Sequence, residues 1–470
     1  MNCARRLAGA FGFVLVAACG NVAGDAGPRD APDGTSCTDG VACATNPGAP
    51  CVTGKTTCTG GPRCIDDVAA SDGTSCGSGQ CVLGGCLAPA TIAADVDLST
   101  TAVSAGRACA ESPSYSVTSV PSGASVTVAT VPTGDCLVAG DEVMLINLQG
   151  TRGMTANVGN WELLRVASVA GALITFTSAR TRFYGATAGG DDSIGTAAGS
   201  QKVAVVRVPR LGATSIASGK KVTTAAWDGV KGGVLAIRAA RLVISGTIDV
   251  SAAGYRPGRW SQSASACAVN VTTEGGESIS GPSAASTLHN AGGAGGIGAA
   301  QGPSFVASTP MSSTPGHATA GHPGLNANGR DLGEPGAVYG SADASTLTLG
   351  SGSSGNLTCS GTGDPNGQLV GGGTPGAGIV AIFAGDIVVS GGAIVATPSD
   401  AARDIASSGG YVYLRAANVD LGAGLVTARG AIAHGQSATA GLTNPAGNGY
   451  VVVHASGTVA GTSDPAASRP

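Results

Sequence analysis

The chain has 470 residues, enough for two or three domains, and a net charge of −4. Only 11% of its residues are charged and 3% aromatic, while 78 are glycine. That excludes a thick core of large side chains and favours a repetitive fold with small residues at its corners. No lysine/arginine cluster is present, which argues against a nucleic-acid partner.

The N-terminus reads "MNCARRLAGAFGFVLVAACGN". Arg5 and Arg6 form a positive start and Leu7 to Val16 a short apolar stretch, the pattern of a signal peptide (residues 1–18), too short to span a membrane. It ends in "VAAC", which resembles the lipobox of bacterial lipoproteins. The resemblance implies lipidation of Cys19 and anchoring through acyl chains, each buried methylene contributing ~0.8 kcal/mol. Gly20 in place of aspartate implies, by the same likeness, the outer membrane or cell surface.

Cysteine usage agrees with export. Of fourteen cysteines, Cys3 leaves with the signal and Cys19 carries lipid, so an even number remains. These are read as disulfide-forming: Cys37, Cys43, Cys51, Cys58, Cys64, Cys76, Cys81 and Cys86 close together, then Cys109, Cys136, Cys267 and Cys359 far apart. A Gly/Pro/Asp tether covers residues 19–33. A Cys-rich module follows over 34–88, with an internal echo, "DGTSC", at Asp33 and Asp72. It has few large apolar residues, so its bridges supply most of its stability. Zinc is disfavoured there, since no C-x-x-C pair and no nearby histidine occur. The pattern resembles short Cys-rich repeats of secreted myxobacterial proteins.

A small β subdomain is expected over 89–200. "SVTVATV", "DEVMLINL", "WELLRVASV" and "LITFTSA" read as strands, with a hairpin pivoting on Ala170–Gly171, and Cys109 pairs with Cys136. The rest, 201–470, carries one pattern four times: "GVLAIRA" (233–239), "GIVAIFA" (378–384), "GYVYLRA" (410–416) and "GYVVVHA" (449–455). Three copies continue into a second ladder, "RLVISGTIDV", "DIVVSGGAIV" and "NVDLGAGLVT". No single copy can bury its own face, so the repeat predicts a right-handed parallel β-helix, an all-β solenoid. Period two puts Leu235/Ile237/Ala239, Val380/Ile382/Ala384, Val412/Leu414/Ala416 and Val451/Val453/Ala455 inside. Between the first two copies lies a Gly-rich stretch of about 254–375. It is expected to be a large lateral insertion, partly mobile; its glycine runs could instead pack as extended three-fold helices. Its ends carry Cys267 and Cys359, expected to bridge and clamp it.

"GDEVMLINLQGT", "AAWDGVKGGVLAIRAARLVISGTIDVSAAGYR", "YGSADASTLTLGSG" and "GNGYVVVHASGTVAGTSDP" together resemble a family of glycine-rich surface proteins of myxobacteria, some connected with adventurous gliding motility. The likeness covers about residues 90–465 and implies an adhesive or matrix role with no catalytic residues.

Isolated motifs carry little. "GTSCG" (73–77) matches a serine-nucleophile pattern but lies in the Cys-rich module, and "GKTT" (54–57) lacks the first glycine of a phosphate loop. His317 and His322, in "GHATAGHPG", read as solvated loop histidines; Asp191–Asp192 and Asp95/Asp97 are weak calcium candidates. No catalytic, cofactor-binding or metal residue is assigned, and no cofactor is expected. The alternative function is a carbohydrate-active β-helix enzyme, a polysaccharide lyase or hydrolase, which needs paired carboxylates on one sheet. The outward positions of the four ladders hold none. They offer an aromatic and basic strip, Arg238, Phe383, Tyr411, Tyr413, Arg415, Tyr450 and His454, suited to sugar rings or an anionic polymer. The expected function is therefore a non-enzymatic, lipid-anchored envelope protein in adhesion, matrix or polysaccharide contact, or surface structure.

Overall fold

The computed structural model describes residues 29–30, 39, 42–43, 50–58, 63–258, 275–282, 313–325, 331–332, 335–354, 373–399, 406–434 and 441–470. The chain divides into two units, Met1–Ala69 and Ala70–Pro470. The division falls inside the Cys-rich stretch. In the first unit, β1 (Arg29–Asp30), β2 (Ala42–Cys43), β3 (Val52–Thr57) and β4 (Arg63–Ala69) form an antiparallel sheet in the order β1-β4-β3-β2.

The second unit begins with a three-stranded meander, β5 (Ser75–Cys76), β6 (Gly79–Val82) and β7 (Gly85–Leu87), closed by a Cys76–Cys86 disulfide. Next come β8 (Ala90–Ile92) and β9 (Val96–Asp97). Then β10 (Ser114–Ser122), β11 (Ser125–Val128), β12 (Glu142–Gln149), β13 (Trp161–Ala170), β14 (Leu173–Phe176) and β15 (Lys202–Val208) close into an antiparallel barrel, in the order β10-β11-β14-β13-β12-β15. The β13–β14 hairpin pairs Ala170 with Leu173, so its two-residue turn is Gly171–Ala172, one position later than the sequence suggests. Gly171 adopts a positive φ of 60° there, which a Cβ disfavours. Inside the barrel Val117, Val126, Val143, Leu145, Leu164, Ile174, Phe176 and Val205 interdigitate. The expected Cys109–Cys136 bridge is present.

The remaining strands are β16 (Arg210–Ile216), β17 (Lys221–Thr223), β18 (Val234–Ile244), β19 (Thr247–Asp249), β20 (Gly324–Leu325), β21 (Asp331–Leu332), β22 (Ile379–Val389), β23 (Ala393–Val395), β24 (Tyr411–Ala416), β25 (Asn418–Thr427), β26 (Ile432–His434), β27 (Thr443–Pro445), β28 (Tyr450–Ala455) and β29 (Val459–Asp464). Apart from the small hairpin pairs β20–β21 and β26–β27, they stack in parallel with β8 and β9 as one twelve-stranded sheet. Its rungs are β8/β9, β16/β17, β18/β19, β22/β23, β24/β25 and β28/β29, each paired with the equivalent segments of the next. The strands nearest the start of the β subdomain, β8 and β9, thus belong to the solenoid, and the barrel is inserted after them.

The interior is the one the repeat predicts. Leu235, Ile237, Val380, Ile382, Val412, Leu414, Val451 and Val453 line a single apolar core. Each Leu, Ile or Val so buried contributes roughly 1.5–3 kcal/mol. The inward parity then changes at each corner: Leu242 and Ile244 follow Ala239, and Ile387 and Val389 follow Ala384. One extra residue at the bend flips the side chains across the pleat and turns the strand onto a second face without leaving the core.

The invariant first residue of the repeat has a steric cause. Ile379 N–H donates to Gly233 O (2.8 Å), Tyr411 N–H to Gly378 O (3.0 Å) and Tyr450 N–H to Gly410 O (3.0 Å). A Cβ on Gly378 would lie 2.6 Å from Gly233 O, and one on Gly410 or Gly449 would strike the preceding glycine's carbonyl.

The described parts of the Gly-rich stretch are ordered and largely buried. Apart from the short β20–β21 pair they lie outside any strand, and they bond sideways in more directions than a strand can. Residues 350–354 bond to four neighbours: Tyr255 N–H to Gly350 O (3.0 Å), Gly352 N–H to Glu277 O (3.1 Å), Ser353 N–H to Thr374 O (3.0 Å) and Ser408 N–H to Ser351 O (3.1 Å). A strand in a sheet has two. This is the packing of extended three-fold rods, in which only small residues fit between axes. Where serine replaces glycine, its hydroxyl bonds a neighbouring backbone: Ser351 N–H donates to Ser408 Oγ (2.6 Å) and Thr374 N–H to Ser353 Oγ (2.7 Å). Of the two expectations for this stretch, a partly mobile lateral insertion or packed three-fold helices, these segments follow the second. His317 is corrected too: it is fully buried among the rods, stacked on Tyr339, with its ring nitrogens on Gly409 O (2.6 Å) and Thr348 Oγ1 (2.8 Å). His322 is exposed. Cys19, Cys37, Cys267 and Cys359 lie outside the described residues.

Candidate functional site

The outward side chains of the first solenoid face form three columns. The first two, Val234/Ile379/Tyr411/Tyr450 and Ala236/Ala381/Tyr413/Val452, meet the barrel and the rods. Met144, Ile146 and Leu148 of β12 and Ala204, Val206 and Val208 of β15 pack on them, with Trp227, Tyr255, Leu347 and Leu349. This explains why β12 is buried along its whole length: one side fills the barrel and the other covers the solenoid. Tyr411 OH donates to Ser341 O (2.6 Å), Tyr450 OH donates to Tyr339 O (2.8 Å), and the two rings stack at 5.1 Å. Trp161 lies 6.0 Å from Phe383 and 5.5 Å from Tyr413. Phe383, Tyr411 and Tyr413 are at most 2% exposed. The expectation of an open aromatic strip is therefore wrong for these three; the apolar surface that made it look adhesive is what the barrel and rods cover.

The third column stays partly open. Arg238, Phe383, Arg415 and His454 are direct register partners on four successive rungs. Rung spacing places them along ~14 Å. They line a cleft of about 910 Å³, joined by Ser456, Gly457, Arg469 and Pro470. Among the described residues, no carboxylate side chain lines it. Arg469 has no signal in the repeat. It arrives because the C-terminal segment returns along β28, Ser468 N–H donating to Val451 O and Val453 N–H to Ser468 O, both 2.9 Å.

The cations in the cleft differ in how far they are already matched. Arg238 is held by Glu142 through two bonds (2.7 and 2.8 Å) and by Asp72 (3.1 Å), with its guanidinium 5.3 Å from the Phe383 ring centre. Arg415 and Arg469 are exposed and make no ion pair among the described residues. Tyr413 OH lies 3.1 Å from His454 Nδ1, while Nε2 is buried without a partner. Burial raises the Tyr413 phenol pKa, while the charge and hydrogen bond of Arg415 beside it oppose that rise. Where Arg415 donates to the phenol oxygen, Tyr413 O–H donates to Nδ1, and the hydrogen of the neutral imidazole then sits on the buried Nε2.

Elsewhere the buried carboxylates serve the architecture. Glu111 pairs with Arg207 (3.1 Å) and accepts from Val103 N–H (3.0 Å) and Ser104 N–H (2.9 Å). Burial pushes its pKa up, but these bonds and Arg207 hold it below the ordinary value, so it stays ionised. Asp141 pairs with the same Arg207, Asp191 with Arg180, and Glu277 with Arg256 and the Trp227 indole.

No family model matches the chain, and no curated protein matches it. Two solved structures are similar in part. The tailspike protein gp49 from Pseudomonas phage LKA1 is 19% identical over 28% of this chain and 23% of its own length, with a TM-score of 0.14. The tailspike gp61 from Pseudomonas phage phi297 is 14% identical over 80% of this chain and 62% of its own length, with a TM-score of 0.15. At such scores the architecture rests on the strand pairings themselves.

Proposed function

We propose that the protein is a non-enzymatic, lipid-anchored envelope protein whose solenoid, a right-handed parallel β-helix, presents the cleft to polysaccharide at the cell surface. The observation that carries this reading is the cleft's lining: cationic or imidazole side chains on three of four successive rungs and, among the described residues, no carboxylate side chain. Glycosidic cleavage by the usual route needs two carboxyl groups facing one bond, one of them able to hold a proton. The buried carboxylates described above are instead locked to arginines. Register partners on a continuous ladder are held in place before a ligand arrives, which lowers the ordering cost of binding. The Gly-rich rods and the glycine-led repeat support kinship with the glycine-rich surface proteins of myxobacteria. The test is a polysaccharide array probed with the full chain in detergent, run beside a reducing-end assay on each polymer retained. Retention without new reducing ends is expected; release of reducing ends overturns the reading.

A further inference from the structure

Chemistry within the cleft narrows the class of polysaccharide. Neutral sugars are gripped mainly by an aromatic face laid against the ring. Here Phe383 and Tyr413 are covered by Trp161, and Arg238 already lies over Phe383. Among the described residues, no aromatic face is offered to a neutral ring at this site. What the cleft does offer is charge. The charge of Arg238 is matched within the protein by Glu142 and Asp72, but Arg415 and Arg469 are exposed and make no ion pair among the described residues. His454 lines the same cleft, one rung beyond Arg415. Arginine's planar fork matches a carboxylate through two parallel bonds.

We propose that the cleft is a site for an acidic polysaccharide, in which a uronate carboxylate is held by Arg415 and Arg469. This rests on the surface-binding reading above and specifies its ligand. Binding is electrostatic at its core and weakens as salt rises.

The test uses the full chain in detergent and four probes: polygalacturonate, its methyl ester, dextran and dextran sulfate. Polygalacturonate is expected to bind, and its methyl ester, identical in backbone but without charge, is expected to be lost. Arg415→Gln and Arg469→Gln should each weaken binding about tenfold, and the double variant should abolish it. Arg152→Gln, which removes an equal charge from an exposed barrel loop, should leave it unchanged; circular dichroism checks that every variant folds. Equal binding of the methyl ester or dextran overturns the charge assignment while leaving the surface-binding reading intact. Binding of dextran sulfate alone, or undiminished binding of polygalacturonate by the double variant, overturns the carboxylate site. Failure to bind any of these probes or any polymer on the array overturns both readings.

Discussion

Leu414 and Arg415 are neighbours in sequence with opposite surroundings. Leu414 is fully buried in the solenoid core, whereas Arg415 points into the cleft and is exposed. Leu414→Asp puts an unpaired charge into that core and should cost several kcal/mol, enough to prevent folding. Arg415→Asp should cost less than about 1 kcal/mol. Comparable shifts in melting temperature for the two would overturn the register. His317 gives a pH prediction. Burial holds its pKa down to about 4, with the hydrogen bond to Gly409 O opposing the fall. Around it stand the rings of Tyr339, Tyr411 and Tyr450. In the unfolded chain histidine titrates near 6.5. The unfolded state therefore binds the extra proton first, and stability is complete above pH 6.5 and falls progressively toward pH 4. The full loss is about 3 kcal/mol. Denaturant midpoints measured from pH 7 to pH 5 should show this slope, and His317→Asn should flatten it. An unchanged slope in the variant would exclude His317 as the source.

Among the elements, the glycine that leads each repeat is the most constrained. Gly410→Ala drives a Cβ into the Gly378 carbonyl, and backbone cannot yield without separating two rungs. The expected loss is at least 2 kcal/mol by thermal melting. Gly123→Ala, whose Cβ would meet only Ala179 at 3.7 Å, should change stability by less than about 0.5 kcal/mol. Equal effects would mean that the repeat glycine serves only flexibility. This contrast also marks what the sequence can reveal. The ladders were legible because period two and a four-fold repeat identify Leu235, Val380, Val412 and Val451 as inward without knowledge of the neighbours. What lies on the outward side was not legible. Tyr411 and Tyr413 read as an exposed strip because the partners that cover them, Met144, Val206 and Leu347, are far away in sequence. The rods were legible only as a possibility, since glycine and serine suit a mobile loop and a three-fold helix equally. Arg469 was invisible because a backbone return along β28, with no side-chain pattern, brings it to the cleft.

At the largest scale, the unit Ala70–Pro470 is a solenoid stiffened on one face by a barrel and a bundle of rods, with the open column at the margin of that covering. Anchoring of the chain belongs to the same proposal: Cys19→Ser should move the protein out of the membrane fraction, and persistence there with continued labelling by a palmitate analogue would contradict it. The proposed Cys267–Cys359 bridge should appear in non-reducing peptide maps, and a free Cys267 peptide would remove it. The central claim is that the solenoid face holds polysaccharide without cutting it. Sedimentation velocity of polygalacturonate, followed with and without the protein over prolonged incubation, tests this in a single run. The account predicts a faster polymer boundary that carries the protein and does not drift with time. A boundary that slows with incubation, as the polymer is shortened, would contradict it, as would a boundary the protein never joins.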